Sequence, residues 1–155
     1  MGATVSHIIL GFSRSDHWIS HLVRKLTKGR FSHVMLLNPE SRYYVEASGL
    51  ASPSGVRMHT LPEFFARAEW DFRVIEHPNP KAVWEAAISQ VGKPYDWSYM
   101  IGWFLNDRDW QDPDKWSCHE LILWACEMAG HPIIEMEDAH NLTPHHLYLI
   151  SKPME

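Results

Sequence analysis

The chain has 155 residues, of which 45% are hydrophobic, and this is enough for one domain with a buried core but too few for two, so we expect a single domain over residues 1–155. Nineteen acidic against fourteen basic residues give a formal net charge of -5 without a basic cluster, which argues against nucleic acid as a partner. We find no signal peptide and no apolar run near the roughly eighteen residues of a membrane-spanning helix, so we expect a cytoplasmic protein, or one that reaches the cell envelope without a cleavable signal.

The hydrophobic pattern predicts strands and helices mixed along the chain. Strands are expected where short runs are apolar or alternate with polar residues, at residues 5–12, 31–37, 42–47, 56–59 and 72–76. Helices are expected where apolar side chains recur at helical spacing or a cap is present, at residues 16–28, 61–68, 81–91, 98–105, 118–129 and after 143. These elements predict an α+β fold.

The second and third strands are expected to form a hairpin, because Asn38 to Ser41 has the composition of a turn. If Leu37 pairs with Arg42, then His33 stands directly opposite Glu46 on the same face, with Cβ atoms about 5 Å apart. A carboxylate beside an imidazole fixes the ring and its tautomer and favours the protonated form. The alternative is that His33 is an ordinary core histidine.

The segment 116–130 predicts a helix that begins with a cysteine. Ser117 and Glu120 have the spacing of a capping box, which makes Cys118 the first helical residue, and Gly130 is suited to end the helix. Unpaired N–H groups at a helix start favour thiolate over thiol, so Cys118 is a candidate nucleophile, the alternative being a small buried apolar residue. Cys126 lies about 12 Å further along the helix, too far for a disulfide, and is expected to pack in the core.

The eleven histidines raise the alternative of a metal-binding protein. His17 and His21 are four residues apart on a predicted helix, which would allow both to bind one ion. No glutamate follows His17, as the helical zinc-hydrolase motif requires. We therefore expect no metal site.

Five motifs together resemble a known family. They are FSHV at 31–34, Glu46 in the next strand, GKPYDW at 92–97, WSCHEL at 116–121 and TPHHLY at 143–148. In this order they are similar to the circularly permuted NlpC-type papain-like cysteine hydrolases of the YiiX-like branch, from about residue 8 to residue 148. The family commonly has Cys-Ser-Glu-Leu at the nucleophile, so His119 is a departure, which we expect to affect the pocket wall or to act as a competing base.

The resemblance implies a papain-like α+β fold with the cysteine helix packed on an antiparallel sheet. It implies a triad in which Cys118 attacks, His33 transfers the proton and Glu46 orients His33. It also implies that Tyr95 lies near the thiol, and we expect Trp97 and Ser117 to contact substrate as well. No cofactor is expected.

The function predicted from this resemblance is hydrolysis of an amide, of peptide or cell-wall type, through a thioester acyl-enzyme. One alternative is a lipid-directed acyltransferase or deacylase on the same triad, favoured by an apolar pocket of Trp97, Trp103 and Phe104. Another is a non-catalytic binding module that keeps the fold. The expected partner is thus a cell-wall peptide or a lipid.

Overall fold

A computed structural model of the chain describes residues 5–50, 53–67, 69–98, 114–139 and 141–154. Within these ranges the chain forms one six-stranded antiparallel sheet and several helices, so the predicted α+β class is confirmed. None of the helices in the described ranges combines the length and the apolar character that crossing a bilayer requires.

The sheet has the strand order β4-β3-β2-β1-β5-β6. Its strands are β1 (His7–Arg14), β2 (His33–Asn38), β3 (Tyr43–Ser48), β4 (Gly55–Thr60), β5 (Glu69–Glu76) and β6 (Lys152–Pro153). The five predicted strands are all present, whereas β6 was not predicted. β5 begins at Glu69 and not at residue 72 as expected. It is longer because it pairs with the whole of β1, from His7↔Glu76 to Arg14↔Glu69.

The helices in the described ranges are α1 (Trp18–Thr27), α2 (Leu61–Phe65), α3 (Pro80–Ile88), α4 (Cys118–Met128), α5 (Met136–Ala139) and α6 (Pro144–Ile150). The predicted start of α1 at residue 16 was wrong, because His17 is the cap and its Nδ1 accepts the N–H of Ile19 at 3.3 Å. Most of the predicted helix 98–105 lies outside the described residues.

The main core lies between one face of the sheet and the cysteine helix α4. Val34, Leu36 and Val45 from β2 and β3 are buried against Leu121 and Ile122 of α4. The expected packing of the cysteine helix on an antiparallel sheet is therefore observed. Met128, the last residue of this helix, is 60% exposed.

The other face of the sheet carries a smaller core under the short helix α2. Phe64 of α2 is buried against Met35, Leu37 and Tyr44, which alternate along β2 and β3 with the residues of the main core. His33 and Glu46 follow the same alternation as these residues. His33 and Glu46 therefore lie on the α2 face of the sheet, with His33 as the first residue of β2.

The predicted hairpin is present, but its register is shifted by two residues. Leu37 pairs with Tyr44 and Asn38 with Tyr43, so Leu37 does not pair with Arg42 and His33 is not directly opposite Glu46. The physical reason is Arg42, which has a left-handed backbone (φ 62°) and belongs to the turn. A shift of two residues keeps every side chain on its face, so Glu46 becomes a diagonal neighbour of His33.

Candidate active site

The candidate nucleophile lies at the start of α4, as predicted. The N–H and hydroxyl of Ser117 donate to Glu120 Oε2 at 3.2 and 2.6 Å, which forms the capping box and makes Cys118 the first helical residue. Cys118 is 6% exposed. Ser117 is fully buried with its hydroxyl bound in the cap, so the structure gives it a role in helix initiation, and its contact with substrate stays a prediction.

The imidazole of His33 connects the thiol to a carboxylate. His33 is the first residue of β2, and its Nε2 lies 2.6 Å from Glu46 Oε2 on β3. His33 also lies close enough to Cys118 for each group to shift the pKa of the other. Since Nε2 faces Glu46, Nδ1 is the ring nitrogen left for the thiol. The structure thus brings together the three residues predicted to form the triad.

Burial and the neighbouring polar groups have opposite effects on the pKa of Cys118, and the same is true of His33. Burial raises the pKa of Cys118, but contacts with His119 and His33 outweigh it and lower that pKa to about 6. Burial lowers the pKa of His33, but the charge of Glu46 and hydrogen bonds to Cys118 and Glu46 raise it to about 9. At neutral pH the favoured state is therefore a thiolate beside an imidazolium.

The carboxylate of Glu46 is ionised although its side chain is only 3% exposed. Burial would raise the pKa of this carboxyl, but the charge and hydrogen bond of His33, with further contributions from His59 and Arg67, hold it well below its usual range. An ionised carboxylate in this position holds the His33 ring in one orientation.

Two of the groups around Glu46 were missed by the sequence reasoning. Arg67 donates to Glu46 Oε2 at 2.8 Å, and His59 Nε2 lies 3.4 Å from Oε1. His59 could have been found by pairing β4 with β3, because Tyr44↔His59 puts it on the face of Glu46. Arg67 follows α2 outside any strand, and no sequence signal connects it to the site.

The second cysteine differs from the first in the groups that surround its thiol. Cys126 is fully buried in the core, where burial raises the pKa of its thiol to about 12. It is neutral at physiological pH. This agrees with the prediction that Cys126 has a packing role.

Tyr95 and Trp97 lie beside the segment that leads into the cysteine helix. Tyr95 forms a parallel bridge with Trp116, through which Asp96 N–H donates to the Trp116 carbonyl at 3.0 Å. The rings of Tyr95 and Trp97 meet edge to face at 5.3 Å. A Cβ added to Gly49 would lie 2.9 Å from Tyr95 and 2.8 Å from Trp97, so the chain after β3 needs glycine at this close approach.

A cavity of about 360 Å³ lies next to His33. Its walls come from α1, the ends of β1 to β3, the loop after β3, and the Tyr95 segment; they include Ile19, Ser20, His33, Leu50, Tyr95 and Trp97. The two predicted aromatic substrate contacts, Tyr95 and Trp97, are therefore both in its wall. Trp103 and Phe104, predicted to line an apolar pocket with Trp97, lie outside the described residues.

His119, the departure from the family motif, is fully buried at the second position of α4. It does not line the described cavity, so its expected effect on a pocket wall is not seen there. Its contact with Cys118 instead contributes to the low pKa of the thiol.

Within the described residues, no group of three or more His, Cys, Asp and Glu side chains has a geometry that could hold a metal ion. His17 caps α1, and His21 Nδ1 lies 2.8 Å from Arg24. The two histidines thus have separate partners.

Neither the protein-family models nor the curated proteins that were compared with this chain give a match. The resemblance to NlpC-type hydrolases therefore remains a prediction that rests on motifs.

Proposed function

We propose that the protein is a cysteine hydrolase that cleaves an amide bond through a thioester acyl-enzyme on Cys118. The observation that carries this proposal is the juxtaposition of three residues. Cys118 lies at a helix start, His33 is close enough to shift its pKa, and Glu46 Oε2 lies 2.6 Å from Nε2 of His33. A nucleophile, a base and a group that orients the base are the parts that covalent acyl transfer requires.

In the acylation step, the Cys118 thiolate attacks the substrate carbonyl carbon and forms a C–S bond. The negative charge moves to the carbonyl oxygen, where the N–H groups at the start of α4 stabilise it. His33 donates its Nδ1 proton to the amide nitrogen, the C–N bond breaks, and the amine leaves. His33 is then neutral.

In the deacylation step, neutral His33 removes a proton from water while the water oxygen attacks the thioester carbon. The C–S bond breaks and its electron pair returns to Cys118 as thiolate, leaving His33 protonated as before. The products are a carboxylic acid and an amine. Glu46 keeps the ring aligned in both steps, since it binds Nε2 whether His33 is charged or neutral.

The cavity beside His33 suits the leaving group of such a substrate. Its described wall contains His33, which donates the proton to the leaving group, but does not contain Cys118. Ser13, Ser20 and Ser32 make part of this wall polar, with hydroxyls that bond to Arg67 and to one another. This composition supports a peptide-like or cell-wall-type amide.

The proposed fold is the circularly permuted papain-like type. Three features support it: the cysteine at the first position of α4, the packing of that helix on β2 and β3, and the histidine on a strand that precedes the cysteine in the chain. Chain order is immaterial to the chemistry, which needs only that helix start and strand end meet.

A lipid-directed deacylase or acyltransferase on the same triad is the second candidate. Apolar side chains of the same cavity favour it, namely Ile19, Val23, Leu50 and Trp97, which form an apolar surface beside the serines. An acyl or alcohol chain would be buried there by the hydrophobic effect.

The test is a set of matched substrates that share one acyl group. The acyl group is presented as an amide of an amino acid, as a thioester, and as an ester of a long-chain alcohol, and product release is followed with wild-type protein, Cys118→Ala and the matched control Cys126→Ala. We expect amide cleavage that is lost in Cys118→Ala and retained in Cys126→Ala. Cleavage restricted to the long-chain ester would favour the second candidate, and activity that survives Cys118→Ala would contradict both.

A further inference from the structure

Arg67 lies just beyond α2 and is held by three side chains around its guanidinium. It donates to Ser13 Oγ at 3.1 Å, to Tyr44 Oη at 3.3 Å and to Glu46 Oε2 at 2.8 Å. The guanidinium carbon also lies 5.7 Å from the centre of the Tyr44 ring. These contacts with β1 and β3 fix the cation at one position relative to the sheet.

Arg67 and His33 bind the same oxygen of Glu46. Oε2 lies 2.6 Å from His33 Nε2 and 2.8 Å from Arg67, while the other oxygen is 3.4 Å from His59. The carboxylate is almost completely buried, so these charges interact more strongly than they would in water. The guanidinium of Arg67 is permanently charged. It therefore attracts the Glu46 carboxylate whether His33 is charged or neutral.

The proposed reaction needs His33 to release its proton as well as to accept one. A buried carboxylate with no other cation beside it stabilises a neighbouring imidazolium strongly and makes it a weak acid. A weak acid transfers its proton slowly to a leaving amine. A second cation on the same carboxylate oxygen weakens the attraction between the carboxylate and the imidazolium.

We infer that Arg67 is a positioning residue of the site, which takes up part of the charge of Glu46 so that His33 is able to give up its proton. The inference rests on the proposed function, because it concerns the acid–base residue of that reaction. Arg67 also lines the cavity beside His33, but the role inferred for it is exercised through Glu46 and not on the reacting bond.

Several other ionisable groups face this pair, and the test has to separate Arg67 from them. They are Tyr44 on β3, Arg57 and His59 on β4, Glu63 on α2, Cys118 and His119 on α4, and Arg14 and Asp16 in the cavity wall. Glu46 is hydrogen-bonded to His33 and Arg67, and of these two Arg67 is the one whose charge does not depend on pH.

The test is an NMR titration of the His33 ring in full-length protein that carries Cys118→Ala, so that thiol ionisation does not contribute. Arg67→Gln is compared with the Arg67 parent, because glutamine keeps donors for Ser13 and Glu46 but loses the charge. Arg67→Lys is the matched control, since it keeps the charge. We expect the pKa of His33 to rise by about one unit in Arg67→Gln and to change little in Arg67→Lys.

An unchanged pKa of His33 in Arg67→Gln would overturn the inference. So would a lower pKa, because it would mean that Glu46 has moved away from His33 and that Arg67 is only its anchor. If Arg67→Gln does not fold, Arg67→Met is titrated with the same expectation. The titration does not depend on activity, so its failure leaves the proposed function standing, whereas absence of Cys118 reactivity in the wild type refutes the proposed function and leaves the titration valid.

Discussion

The selective reactivity of the two cysteines follows directly from their surroundings. Cys118 has a helix start and two imidazoles beside it, whereas Cys126 is enclosed by the core. We expect iodoacetamide to alkylate Cys118 much faster than Cys126 in the folded protein at pH 7, because the thiolate is the reacting form. Both thiols are almost completely buried, so exposure alone does not predict this difference.

The size of the difference can be worked out from the two pKa values, about 6 for Cys118 and about 12 for Cys126. At pH 7 the first thiol is mostly thiolate, whereas the second has about one thiolate in 10⁵. A thiolate with a lower pKa is also a weaker nucleophile, by about half a power of ten per pKa unit. The pKa difference between the two thiols therefore removes about three powers of ten from the advantage of Cys118. The remaining advantage of Cys118 is on the order of a hundredfold.

The assay uses a limiting amount of iodoacetamide, followed by digestion and mass spectrometry of the two cysteine peptides. Cys126→Ala should keep the fast phase and Cys118→Ala should lose it, while both cysteines should react at similar rates in denaturant. Equal rates in the folded protein, or faster labelling of Cys126, would refute the reasoning about the helix start and the imidazoles.

Three further predictions concern the partners of the thiol. His33→Ala should abolish the selective labelling at neutral pH by raising the pKa of Cys118, with an unchanged circular dichroism spectrum; labelling like the wild type would make His119 the relevant partner. Glu46→Gln should lower turnover within a span of about ten- to ten-thousand-fold and Glu46→Ala should lower it further, whereas wild-type turnover in both would remove Glu46 from the triad. Turnover should rise with pH through about 6, because Cys118 ionises there. It should fall through about 9, because His33 loses its proton. A pH profile without the rise near 6 would contradict the ion pair.

The start of the cysteine helix could be predicted from sequence because it depends on local chemistry. The capping box needs only Ser117 and Glu120 at the right spacing, and Gly130 has the left-handed backbone (φ 84°) expected just beyond the helix end. A contact between residues that are close in the chain can be recognised from their spacing in the sequence. The same reasoning located Cys118 at the first helical position.

The contact between His33 and Glu46 was predicted correctly on a register that was wrong. The turn takes up Arg42, so the strand starts one residue later than expected and the pairing moves by two. The face of each side chain has a period of two, so the error left both residues on the same face. A shift of one residue would have separated them.

Arg67 could not be predicted, because its contact with Glu46 depends on tertiary structure alone. It lies beyond the predicted strands of the hairpin, and α2 ends at Phe65 rather than at residue 68 as expected, which changes the direction of the chain just before Arg67. His59 is an intermediate case. Its strand was predicted, but its position next to Glu46 follows only from the pairing of β3 with β4.

The most direct test of the central claim is to trap an acyl group on Cys118. The protein is mixed with p-nitrophenyl acetate, quenched in acid, and analysed by intact mass and peptide mapping. We expect a burst of p-nitrophenol and one acetyl group on Cys118 that is labile to hydroxylamine, absent in Cys118→Ala and formed more slowly in His33→Ala. Acetylation that is absent from Cys118, or that proceeds at the same rate without His33, would contradict acyl transfer by this pair.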